Sequence, residues 1–151
     1  MSSRLIEYRP PRIALTMLIV AAVLQYSLPL SAVNVYSSGI AATVAGLSGF
    51  SLMMWAWWQF KRQGVAICPT DPTASLVTGG VFRITRNPMY LGMGMMLIGV
   101  AIFVGTAPFY VVAVAFFLIM DRLFCRYEEE KLANTFGQEF YRYCHKVRRW
   151  L

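Results

Sequence analysis

The chain has 151 residues, of which 58% are hydrophobic and 14% charged, and its formal net charge is +7. That balance excludes an ordinary soluble domain, where about half of the residues are apolar and about a quarter charged, and it places most of the chain in lipid. In a soluble protein the basic excess would point to nucleic acid; here the basic residues flank apolar runs, so attraction to anionic headgroups accounts for them and no nucleic-acid partner is expected.

A spanning helix needs roughly 20 largely apolar residues. Residues 13–33, 40–60, 89–104 and 107–124 are predicted as spans, the third being short and expected only as half of a hairpin with the fourth. Their continuous apolarity lacks the alternation of a barrel strand, and backbone groups in hydrocarbon must be satisfied within the segment, so the runs are helices. Arg4, Arg9 and Arg12 precede the first; Lys61, Arg62, Arg83 and Arg86 lie between the second and third; a basic series from Arg122 to Arg149 follows. Residues 34–39 and 105–107 carry no charge. The positive-inside rule then makes both termini and the central loop cytoplasmic.

The first run is longer than the apolar core of a secretory signal and no small-x-small cleavage site follows, so it is expected to stay as an anchor. The fold class expected is all-α: a polytopic membrane protein of four transmembrane helices plus a C-terminal amphipathic cytosolic helix. Residues 1–151 form one membrane domain, with two N-terminal spans in 1–60 and a binding loop, helical hairpin and C-terminal helix in 61–151.

The first two spans carry small residues, among them Gly39, Ala41, Ala42, Ala45, Gly46 and Gly49, at spacings that let helices approach closely. Trp55, Trp57 and Trp58 suit the headgroup layer. The loop of residues 61–87 holds Gly64, Pro69, Pro72, Gly79 and Gly80 among apolar residues, and a loop of that length is expected to be functional.

Residues 76–92, LVTGGVFRITRNPMYLG, are the most informative stretch. Gly79 and Gly80 permit a tight turn and close backbone approach. Pro88 suits the first turn of the third span, Asn87 is placed to cap it, and the helix N-terminus leaves N–H groups that can hold a carboxylate. Phe82 and Tyr90 either pack on an adenine or anchor at the interface.

After the fourth span, Leu132, Phe136, Phe140 and Tyr143 recur at three- and four-residue steps and define an apolar helix face interrupted by Gly137. Glu128, Glu129 and Glu130 are consecutive and cannot share one face, so at least one points to solvent. An inward carboxylate here can accept hydrogen bonds from ribose hydroxyls or an ammonium. Cys68, Cys125 and Cys144 with the lone His145 fit no zinc pattern and are expected to be packing residues, without a metal.

The blocks LVTGGVF, RNPMYLG and EEEKLANTFGQEFYRY, in this order around a helical hairpin, resemble the membrane-embedded methyltransferases that include isoprenylcysteine carboxyl methyltransferase and phosphatidylethanolamine N-methyltransferase. The resemblance covers residues 76–151, with asparagine at position 87 where many members have histidine. It implies S-adenosylmethionine as cofactor, held by Leu76, Val77, Phe82, Asn87, Pro88, Met89 and Tyr90 from the loop and helix start, and by Glu128 with Glu129 beside it. Lys146 falls where the carboxyl methyltransferases have arginine, which implies a place on the substrate side. The activity so implied is methyl transfer to a lipophilic small-molecule or lipidated substrate reached from the bilayer, at a site facing the cytoplasm.

No general base is assigned, since a carboxylate or thiolate acceptor needs none. The competing readings are a small non-catalytic transporter or assembly protein and a reductase-like relative. The absence of acidic residues from the first three spans weighs against proton-coupled transport.

Overall fold

A computed structural model describes residues 10–27, 37–64 and 75–151. The expectations that rest on Arg4, Arg9, Cys68, the end of the first span beyond residue 27 and the loop over residues 65–74 lie outside the described residues. The described residues form helices: α1 (Pro10–Ser27), α2 (Gly39–Arg62), a 3-10 turn (Gly80–Arg83), α3 (Pro88–Val104), α4 (Ala107–Ile119), a π turn (Met120–Cys125), α5 (Arg126–Phe136) and α6 (Gln138–Lys146).

Local chemistry sets the helix ends. Two prolines open α1, where a missing backbone donor is harmless. Ser38 caps α2 by accepting from the Ala41 N–H at 3.4 Å, and Lys61 and Arg62 lie at its C-terminal end, where cations are favoured. Inside α2, Thr43 and Ser48 return their hydroxyls to the carbonyls of Gly39 and Val44, at 2.8 and 2.6 Å, so neither presents an unpaired donor to lipid. Pro88 begins α3, and Gly105, in the left-handed region at φ 75°, ends it by donating to the Ala101 carbonyl.

Among the described residues, three helices are long and apolar enough to cross a membrane: Pro10–Ser27, Gly39–Arg62 and the continuous Ala107–Phe136. The remaining expected span, the third in chain order, is α3, which has 17 residues, about 25 Å of helix against a hydrocarbon core of roughly 30 Å. It is carried by its neighbours instead: much of α3 is buried against α2 and α4. Large apolar side chains point outward around the bundle, among them Leu15, Ile19, Ile40, Leu47, Val111 and Val114, as expected of surfaces solvated by lipid.

The tightest packing is the antiparallel contact of α2 with α3. A Cβ built on Gly49 would lie 2.6 Å from the Gly92 carbonyl oxygen, and one on Gly92 would lie 2.6 Å from the Gly49 carbonyl oxygen. Further along, Gly99 faces the Gly46 nitrogen and the Ala42 carbonyl at 2.9 and 3.0 Å from such a Cβ. The small residues read from the sequence therefore divide by use: Gly49 needs its missing side chain at the seam, Ala42 and Gly46 offer their backbone to Gly99, and the Cβ directions of Gly39 and Gly46 are open. On the other side of α3 the Phe117 ring of α4 covers Gly94, and Ile13, Met17 and Leu18 of α1 pack on the cluster of Tyr90, Met93, Leu97, Ala113 and Phe116.

Beyond α4 the chain continues through the π turn into α5 without a break. Gly137, at φ 50° and ψ −122°, then turns it sharply, so the single amphipathic helix expected after the fourth span is two helices. Phe140 and Tyr143 of α6 are buried with Val77, Val81, Phe82 and Ala56, and Leu132 and Phe136 of α5 pack against that cluster.

Two substitutions test this architecture. Gly49→Ala should force α2 and α3 apart and cost about 1–3 kcal/mol by overpacking, while Gly46→Ala, whose Cβ meets nothing within 4 Å, should be neutral or stabilising through helix propensity. Equal thermal midpoints for the two variants would refute the seam. Gly137→Ala also meets no atom within 4 Å, so a loss of about 1–3 kcal/mol there reports backbone strain alone; an unchanged melting curve would argue against the sharp turn.

Candidate functional site

The site is built at the end of the bundle where α2 stops and α3 starts, opposite the Gly105–Thr106 connection. Gln59, near the end of α2, receives the Val81 N–H on Oε1 at 3.2 Å and donates from Nε2 to the Gly79 carbonyl at 3.3 Å. This side chain pins the glycine turn to the helix. Gly80 has φ 54°, and any Cβ there would collide with the Gln59 amide. The close approach that the glycine pair permits is thus made to the chain itself. Phe82 is buried between Phe60, whose ring centroid is 5.0 Å away, and α6, where the Tyr143 hydroxyl donates to the Phe82 carbonyl at 2.7 Å. Burial raises the Tyr143 pKa, which keeps the phenol a neutral donor.

The Asn-Pro-x-Tyr step lies next along the chain. Asn87 precedes α3, but its side chain makes no capping bond; Nδ2 donates to the Arg149 carbonyl at 3.2 Å, contrary to the capping role expected from its position. Thr85, fully buried, donates to the same carbonyl at 2.9 Å and accepts the Asn87 N–H at 3.2 Å. The first turn of α3 is left without a side-chain cap. Tyr90, one turn into α3, donates its hydroxyl to Glu128 at the start of α5 and packs edge-on to Phe124.

The glutamates separate as their spacing requires. Glu128 meets Tyr90, Glu129 turns to two arginines, and Glu130 is exposed. Glu129 lies 3.2 Å from Arg86 Nη1 and takes a two-pronged hydrogen bond from Arg149, with Nε at 3.0 Å from Oε1 and Nη2 on Oε2. The remaining prong, Nη1, reaches Asp121 Oδ1 at 2.9 Å, and the Trp150 indole N–H donates to the same oxygen at 3.0 Å. Hydrogen bonds to Glu129 are the main reason that Arg149 is raised above even the ordinary arginine range, so it is cationic at every accessible pH.

The π turn explains how Asp121 and Glu129 can share one guanidinium. Residues eight apart on an uninterrupted α-helix are turned by roughly 80°, because each step is about 100°. A π turn adds one residue to a turn, so eight positions behave as about seven, close to two full turns. Met120–Cys125 makes this correction between the two carboxylates.

The site residues expected from sequence fall into three groups. Leu76, Val77, Phe82 and Met89 belong to the apolar cluster under α6, with Val77 and Phe82 buried and Leu76 and Met89 half-buried. Asn87, Pro88 and Tyr90 are buried at the start of α3, and Tyr90 meets Glu128. Glu129 joins Arg86 and Arg149. Lys146 is exposed at the end of α6; the basic side chain that reaches this region from the C-terminal segment is Arg149. Arg149, Trp150, Thr85 and Gln59 were not singled out from sequence, because each acts on a partner many positions away. At this end of the bundle the buried Arg86 Nε has no hydrogen-bond partner among the described residues.

An uncharacterized protein of Haemophilus influenzae is 33% identical over 63 residues, which make up 42% of this chain and the whole of that relative. No solved structure is a significant match. The family described as phospholipid methyltransferase matches residues 37–139, which run from the start of α2 into α6 and take in the glycine turn, the Asn-Pro-x-Tyr step and the glutamates. With more than half of the chain matched, and with the apolar helices that a membrane enzyme requires, this protein belongs to the phospholipid methyltransferase family.

Proposed function

We propose that the protein is an integral membrane methyltransferase that uses S-adenosylmethionine and methylates a lipophilic acceptor drawn from the bilayer. The observation that carries this reading is the pairing of Tyr90 with Glu128 at one end of an apolar bundle, within the segment that matches the phospholipid methyltransferases.

The donor set fits the cofactor. Glu128 offers carboxylate oxygens suited to ribose hydroxyls or an ammonium, and an uncapped helix start with the partnerless Arg86 Nε nearby suits a carboxylate. Leu76 and Met89, half-buried against the cluster under α6, with Val77 and Phe82 buried in it, are the proposed apolar cofactor residues. Asn87, Pro88 and Glu129 complete the set of proposed cofactor residues, and Lys146 is the proposed substrate-side cation.

When bound, S-adenosylmethionine supplies an electrophilic methyl group on a sulfonium. The residues here would orient that group toward the bilayer and exclude water, which is the main contribution a protein can make to an in-line displacement between two held partners. The site is proposed to face the cytoplasm, from the distribution of basic residues. Phospholipids, isoprenoid compounds and small apolar amines or thiols all suit an acceptor that arrives through lipid.

Titration of the purified protein in nanodiscs with S-adenosylhomocysteine should show saturable binding. Glu128→Ala and Tyr90→Phe should each weaken it by about tenfold or more, the loss expected for one hydrogen bond to a charged group, roughly 1.5–3 kcal/mol. Folded wild-type protein without affinity would sink the reading. In a second assay, a labelled methyl group supplied with native lipid extract should partition into the organic phase in the wild type and be reduced in Glu128→Ala; label recovered only in water-soluble products would exclude a lipophilic acceptor.

A further inference from the structure

We propose that Arg149 is a positioning residue for this site: without touching the cofactor, it fixes the orientation of Glu129, and hence of Glu128 beside it, and the amide of Asn87. The proposal rests on the cofactor reading given above.

The C-terminal segment after α6 ties together three pieces of chain that are distant in sequence. Its backbone takes the loop before α3: the Arg148 carbonyl accepts the Arg86 N–H at 3.1 Å, and the Arg149 carbonyl accepts both Thr85 Oγ1 and Asn87 Nδ2. The Arg149 side chain takes α5 through both oxygens of Glu129 and the π turn through Asp121. Trp150 secures the end, donating to Asp121 and packing edge-on to Phe117 at 5.5 Å between centroids.

The fork of Arg149 controls direction as well as charge. Arg86 already places a positive group 3.2 Å from Glu129, so neutralising that carboxylate does not require a second cation. What Arg149 adds is a planar, two-pronged grip that holds the Glu129 carboxylate in one orientation, which a lysine cannot reproduce. Glu128 follows on the same helical turn, and its carboxylate must point at Tyr90. An ion pair of this kind adds little to stability once the removal of its charges from water is counted, so its consequence lies in geometry.

The test uses the full chain in nanodiscs and measures both thermal midpoint and S-adenosylhomocysteine affinity, the latter well below the midpoint so that only folded protein is read. Arg149→Met and Arg149→Lys should both weaken binding tenfold or more, because neither keeps the fork. If Arg149→Met does not fold, Arg149→Lys, which keeps the charge and most of the stem, decides the matter. Unchanged affinity in folded Arg149→Lys overturns the proposal even where its midpoint falls, since a role confined to stability moves the midpoint alone. Folded wild-type protein that fails to bind removes the cofactor reading and this proposal with it, whereas wild type and variants that bind equally remove only the proposal.

Discussion

One guanidinium shared by two carboxylates organises the polar end of this bundle. Arg149 stands between Glu129 and Asp121, and the backbone that carries it accepts hydrogen bonds from Thr85 and Asn87. Each partner belongs to a different element: the loop before α3, the π turn after α4 and the first turn of α5. All of these partners are polar groups at the edge of an apolar bundle. In such a setting a charge-assisted hydrogen bond is strong and an unsatisfied one is costly. The order of the site therefore follows from the completeness of this network.

The bundle below it obeys a different rule. Lipid supplies no hydrophobic drive between helices, so association depends on how closely backbones approach. The reciprocal contact of Gly49 with Gly92, continued by Ala42, Gly46 and Gly99, provides that approach for α2 and α3. It also compensates for the shortness of α3, which has partners along most of its length. A helix start held firmly at Pro88 is what gives Tyr90 a fixed direction toward α5.

Much of this was legible in the sequence, for identifiable reasons. Apolar runs with polar breaks mark helices because hydrocarbon leaves the backbone no other partner, and Pro88 and Gly105 bound α3 through conformational preferences that need no tertiary knowledge. The resemblance grouped Tyr90 with Glu128, whose side chains do meet. The rest depended on distance. Arg149 lies 20 and 28 positions from its two carboxylates, in a segment with no periodicity to mark it, whereas Lys146 stands at the position to which the resemblance points. Asn87 was read as a cap because capping is local, but a carbonyl 62 positions away takes its amide. The π turn was illegible for a similar reason: Met120–Cys125 has the composition of ordinary helix, and only the need to serve one partner from two places distinguishes it.

That turn has a consequence for how the chain can vary. The helix before it must keep an apolar face toward lipid and toward α3, while the helix after it must aim carboxylates at Tyr90 and Arg149. A single uninterrupted helix would lock these two phases together. The extra residue acts as a phase shifter, setting the angular offset between a lipid-facing rod and the one that carries the glutamates. The outward-facing side chains Val111, Val114 and Leu118 can then be exchanged among apolar types without disturbing the glutamates. The gain or loss of one residue within Met120–Cys125 would instead swing the glutamates by about 100° and leave the membrane helix where it was.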